Sequence, residues 1–230
     1  METATKQNLK EIIITVIVIV ILTASGIHFL RKHANKEGRE LMLSMNKVSS
    51  IHADKGIKDC YNIDDWQEGR LVILNDEIQE YKEQHEVIFL KLYTYHYTSS
   101  TLFLIFSILS ALTVFLITQD GWNGTSHSIK VLFLVFMSLT SFFGISASTF
   151  DQKVSIGQNG NAYINYDNLQ KELMNYCATN ADIKGDSITF IKIHSSVINR
   201  MTKLHDFYLE FEKQSVDTNK MFSLEKKEEE

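Results

Sequence analysis

The sequence predicts an all-α membrane protein with three transmembrane helices, one near the amino terminus and two forming a hairpin in the carboxy-terminal half, joined to a cytoplasmic helical bundle or coiled-coil portion. Two apolar stretches, residues 99–118 and 131–149, are separated by a short loop that carries Asp120, Gly121, Trp122, Asn123, Gly124 and Thr125. A third stretch, Ile12 to Leu30, includes the β-branched run IIITVIVIVIL and carries no charge. Each is about 19 or 20 residues long, enough for the roughly 30 Å hydrocarbon core at about 1.5 Å per helical residue. Proline is absent from the 230 residues, which predicts uninterrupted helices.

The segments follow in order as 1–30 (outside tail and first span), 31–98 (cytoplasmic helices), 99–149 (hairpin), 150–212 (cytoplasmic helices) and 213–230 (a disordered acidic tail). Orientation follows from the basic residues. Arg31, Lys32, Lys36 and Arg39 follow the first span, against Lys6 and Lys10 before it. Around the hairpin, Lys82, Lys91 and Lys153 flank the spans, whereas its loop has Lys130 at its edge alone. The positive-inside rule then puts the amino terminus outside and the bulk of the soluble part in the cytoplasm, with Trp122 at the outer interface. The alternative for the first stretch is a secretory signal peptide cleaved near Ala24 or Gly26.

In the cytoplasmic stretch, Leu41, Met45, Val48 and His52 suggest a helix. The clearest periodicity is Leu71, Leu74, Ile78, Tyr81, His85, Ile88, Leu92 and Tyr95, which alternates steps of 3 and 4 as a coiled-coil seam does. No breaker separates this seam from the second span, so one helix is expected from about Leu71 to about Thr118, a lever between soluble part and membrane. After the third span, SIGQNGN reads as a flexible loop marked by Gly157 and Gly160. A helix over about 161–178 then aligns Ala162, Tyr166, Leu169, Leu173, Tyr176 and Cys177. Asp186 or Ser187 is expected to cap a last helix with the stripe Ile191, His194, Ile198, Met201, Leu204, Tyr208 and Phe211.

The chemistry-bearing motifs are missing: there is no GxxxxGK[ST], GxGxxG after a strand, HExxH, paired CxxC or GxSxG. No catalytic residue, cofactor or metal is therefore expected. The net charge of −5 offers nothing to nucleic acid. Cys60 and Cys177 lie far apart on the side read as cytoplasmic, and are expected to be reduced structural thiols. His52, His85, His194 and His205 fall at or beside core positions, where an imidazole ordinarily packs and hydrogen-bonds. Tyr93, Tyr95, His96 and Tyr97 form an aromatic belt at a membrane boundary. Asn123-Gly124-Thr125 fits a glycosylation sequon.

The spans themselves are rich in hydroxyls. Thr140, Gly144 and Ser148 make a small-residue stripe on one helix, matched by Ser107 and Ala111 on the other. Such faces pack a hairpin onto itself, or meet between protomers and line a pore. With no charge in either hairpin span, a charge-selective path is not expected.

The order of features resembles the SLATT superfamily: a long amphipathic helix ending in YTYHYTSS (93–100), a short-looped two-span hairpin, a helix with NAYINYDNLQKELMNY (161–176), and a last long helix. The resemblance covers about residues 70–212. It implies a bacterial inner-membrane effector in anti-phage defence, linked to a nucleotide-sensing or nucleotide-synthesising partner protein. The first span is additional to the hairpin. The expectation is a non-enzymatic membrane effector that forms a homo-oligomer and permeabilises the lipid bilayer. The alternative is a membrane-anchored scaffold or signalling subunit that recruits a partner through its coiled-coil helices.

Overall fold

The computed structural model describes residues 2–45, 57–149, 152–182 and 184–204, and these contain five helices. They are α1 (Glu2–Met45), α2 (Asp65–Gly124), α3 (His127–Thr149), α4 (Gln152–Thr179) and α5 (Phe190–Leu204). Three of them, α1, α2 and α3, are long and apolar enough to cross a membrane. The contacts divide the chain into unit 1, Met1–Glu37 with Tyr93–Gln152, and unit 2, Gly38–Leu92 with Lys153–Glu230.

Unit 1 contains the spans. Their outer faces carry Ile17, Leu22, Ile108, Leu112, Phe115, Phe142 and Ile145, all exposed, as surfaces that meet lipid must be. Inside, Leu102, Phe106 and Phe143 form a small cluster with Ile27, Leu30, Leu109, Phe136 and Leu139. The Phe106 ring stacks on Phe136 and on Phe143 at 6.0 and 5.9 Å between centroids. The hairpin turns at Gly121, whose φ of 71° breaks the helix in a region open to glycine. Thr125 seals the turn by donating from both its amide and its hydroxyl to the Gly121 carbonyl, at 3.1 and 2.8 Å. The Ser126 Oγ accepts from the Ile129 amide and so caps α3.

Unit 2 packs the first part of α2 against α4 and α5. Its core joins Leu71, Leu74 and Ile78 to Tyr166, Leu169, Leu173, Tyr176, Ile193, Val197 and Met201. A disulfide between Cys60 and Cys177, 117 residues apart in sequence, ties the segment before α2 to the end of α4. The Tyr61 amide donates to the Cys177 carbonyl beside it at 2.7 Å, and Glu68 accepts from the amides of Asp59 and Cys60.

Several expectations need correcting. Residues 31–45 are not a separate helix but the continuation of α1, whose buried line is Ala34, Gly38 and Met42, with Leu41 exposed. Val48 and His52 lie outside the described residues, as do His205, Tyr208, Phe211 and the tail 213–230. SIGQNGN is helical, not a loop. Gly160 is buried there, where an added Cβ would stand 3.4 Å from the Phe89 ring, so the glycine serves a close helix approach. Asp186 and Ser187 do not cap α5. They sit in a turn in which the Asp182 carboxylate accepts from the amides of Lys184 and Asp186, and the helix starts later, with the Lys192 and Ile193 amides donating to the Thr189 carbonyl. The buried face of α5 is Ile193, Val197 and Met201, while Ile191 and Ile198 are exposed. The cysteines, expected as free thiols, are bonded to each other: the fold brings their Cα atoms to 4.5 Å, a closeness that a separation of 117 residues does not announce.

A candidate polar site in the helical unit

The seam residues of α2 face helices of their own chain. Leu71, Leu74, Ile78 and His85 are buried, Tyr81, Ile88 and Leu92 half-buried, and Tyr95 exposed, its ring lying under the Arg31 guanidinium at 5.2 Å. The reason is periodicity. A straight helix turns about 100° per residue, so a strict heptad line drifts by about 20° every seven residues. Counted from Leu71, Ile78, Lys82 and Phe89 stay within about 20° of one line, whereas Ile88 and Tyr95 have rotated about 100° or more away. The covered line accordingly runs Leu71, Ile78, Lys82, His85 and Phe89.

That line carries a buried lysine. The Lys82 ammonium donates to Asp167 Oδ1 at 2.6 Å and to Gln170 Oε1 at 3.2 Å, and lies 5.3 Å from the centre of the Tyr163 ring. Asp167 also pairs with Lys171 at 2.6 Å, one helical turn further along α4. The Gln170 amide donates to Asn75 Oδ1 at 3.1 Å and to Gln79 Oε1 at 3.2 Å. Every charge in this row is thus matched, which a desolvated carboxylate and ammonium require.

One turn beyond, His85 is buried, and its Nδ1 lies 2.9 Å from Asn159 Oδ1, while the Asn159 amide donates to the Ser155 carbonyl at 2.8 Å. The imidazole stacks on Tyr166, which stacks in turn on Tyr81, at 5.5 and 5.7 Å. Burial, with the nearby Tyr81 and Glu77, pushes the Tyr166 phenol up to about 12. Its hydroxyl has no hydrogen-bond partner among the described residues. Beside His85 opens a cavity of about 240 Å³, lined by Gln158, Asn159, Asn161, Ala162, Asn165, Lys203 and Leu204. The Gln158 Oε1 is buried without a hydrogen-bond partner among the described residues. Side-chain amides, an imidazole and one ammonium offer donors and acceptors in quantity, with no serine, threonine or cysteine among them.

The hairpin stripe lies elsewhere, in unit 1. Gly144 faces Phe103, where an added Cβ would stand 3.0 Å from the ring, so this small residue serves a contact within the chain. Ser107 and Thr140 are half-buried and Ala111 is exposed. Ser148 lies in helical backbone, and its side chain is outside the described residues. Hydroxyls along the spans bond to their own backbone: Thr113 to the Ser110 carbonyl, Thr118 to Phe115, Ser138 to Leu134, and Ser141 to Met137. The His194 ring packs on Phe190 at 5.3 Å. No cluster of three His, Cys, Asp or Glu that could hold a metal ion occurs among the described residues.

Sequence reasoning passed over the Lys82, Asp167 and Gln170 row and the cavity. The signal was available in part: Asp167, Gln170 and Lys171 recur at helical spacing on α4, directly beside its apolar stripe. Comparisons with protein-family models, curated proteins and solved structures return no match.

Proposed function

We propose that the protein is a non-enzymatic, membrane-anchored signalling or scaffold subunit, with unit 2 receiving a polar ligand or partner group in the cavity beside His85. The observation that carries this reading is that cavity, walled by side-chain amides around a buried His85–Asn159 pair. In the spans, by contrast, Thr113, Thr118, Ser138 and Ser141 bond to their own backbone, and Gly144 turns to Phe103. The basic residues at 31, 32, 36, 39, 91 and 153 support a cytoplasmic unit 2 under the positive-inside rule, and on that side the Cys60–Cys177 bond would be open to reduction.

A permeabilising homo-oligomer of the kind implied by the SLATT resemblance is the second reading. It is favoured by the half-buried Thr140, whose hydroxyl has no partner within the described chain, and by the bare outer faces of the spans.

Membrane potential separates the two. Cells producing the protein together with its neighbouring genes keep their potential if it is an anchor, and lose it if it is a pore. A photocrosslinker at the exposed Asn161 should trap a partner, and Asn165→Leu should abolish the adduct. For orientation, a cysteine at the exposed Asn123, in a Cys60→Ser, Cys177→Ser background, should label in intact cells. Labelling only after permeabilisation reverses the topology.

A further inference from the structure

Between α1 and α2 in unit 1 lies an apolar groove of about 360 Å³, with Ile19, Thr23, Gly26 and Leu30 on one wall and Leu102 and Phe106 among the residues opposite. From Ile19 to Leu30 the wall is about 16 Å long at about 1.5 Å per residue, half of the roughly 30 Å hydrocarbon core and so the depth of one leaflet. A helix about 10 Å across and equally long fills more than about 1,200 Å³, so a span from a second copy does not fit, whereas a single extended acyl chain does. Gly26 leaves the groove open, since an added Cβ there would meet nothing within 4 Å.

Charge distinguishes the two ends. Residues 12–30 carry none, while Arg31 and Lys32 follow directly on Leu30. Arg31 is held over the Tyr95 ring at 5.2 Å, and its neighbour His33 meets Tyr97 edge-on at 5.9 Å. Glu37 and Glu40 lie further along α1, accompanied by Lys36 and Arg39, so the groove mouth keeps a positive balance. We propose that this groove binds one anionic phospholipid, with an acyl chain laid along Gly26 and its phosphate at Arg31 and Lys32. The site is independent of the polar cavity in unit 2.

Native mass spectrometry of the full chain, released from detergent containing equal phosphatidylglycerol and phosphatidylcholine, tests this. The wild type should retain one phosphatidylglycerol per chain, with a preference of about fivefold for each basic group. Arg31→Gln with Lys32→Gln should retain lipid but lose that preference, and Gly26→Leu, which fills the groove, should lose the lipid. A second measurement reads the lipid from the groove's own wall, where Phe29 already carries an aromatic ring: Phe29→Trp, with Trp66→Phe and Trp122→Phe, should be quenched more strongly by brominated phosphatidylglycerol than by brominated phosphatidylcholine. Equal retention of both lipids, undiminished lipid on Gly26→Leu, equal quenching, or a dimer mass in place of the lipid adduct would overturn the proposal.

Discussion

Up to Leu92, α2 belongs to unit 2 and buries Leu71, Leu74, Ile78, Lys82, His85 and Phe89 while turning Glu77, Glu80 and Glu83 outward. From Tyr93 the same helix belongs to unit 1 and reverses the pattern: Leu104, Ile108, Leu112 and Phe115 are exposed, while Ser99, Ser110 and Thr113 are buried. The difference lies in what each segment must hide. In water the apolar stripe goes inside and polar groups follow only when partnered. In hydrocarbon there is no advantage in hiding leucine, so small and hydroxyl-bearing side chains take the helix contacts. Unit 2 is therefore specified by matched charges and a covalent tie, unit 1 by ring packing and close approach.

The comparison is tested most severely at Lys82. Lys82→Met should take from the buried Asp167 its buried counter-charge and leave it the half-exposed Lys171, costing unit 2 about 3–5 kcal/mol. Denaturant titration followed by circular dichroism would show it, and Lys82→Met combined with Asp167→Leu should recover most of the loss. Equal losses for the single and double variants would mean the row acts through packing rather than charge.

Next in size is the disulfide. The bond closes a long loop, so Cys60→Ser or added reductant should destabilise unit 2 by about 2–4 kcal/mol, with no change in hairpin insertion. Thiol alkylation of cells before lysis would also show whether the pair is closed in vivo. A fully closed pair beside an Asn123→Cys label that requires permeabilisation would put unit 2 on the oxidising side.

Tyr166 supplies a pH test. Its phenol is raised from 10 to about 12 in the folded chain, chiefly by burial, so folding favours the protonated form. That stabilisation is complete below pH 10, where the unfolded group begins to ionise, and is lost as pH rises through about 12. The loss is on the order of 2 kcal/mol. Alkaline unfolding of unit 2 over this window should shrink in Tyr166→Phe, measured against wild type because other tyrosines and lysines titrate nearby. An identical alkaline profile would remove Tyr166 from the account.

The smallest effect belongs to unit 1. Gly144→Leu overpacks the contact with Phe103 and should cost the hairpin about 1–3 kcal/mol, read by denaturation in mixed micelles. A neutral outcome would show that the two spans separate readily, and would strengthen the assembly reading of the stripe.

Local pattern alone determined that the chain is helical, that three segments suit a bilayer, where the hairpin turns, and that Tyr166, Leu169, Leu173, Tyr176 and Cys177 share a covered face. Those features depend on length, composition and the spacing of neighbours along one helix, all of which a sequence displays. Tertiary structure decided what periodicity leaves open. On α5, Ile191, Ile198 and Met201 compete with Ile193, Val197 and Met201 as the inner line, and only the position of α2 and α4 selects the second. On α2, the drift of a straight helix away from a heptad carries Lys82 into the core, which is tolerable because Asp167 arrives from 85 residues away. Cys60 meets Cys177, and the amides of α4 enclose a cavity beside His85, for the same reason. Partnership between distant residues is a property of helix packing: the spacing of Asp167, Gln170 and Lys171 marks a polar row on α4, but nothing in it names Lys82 as the partner.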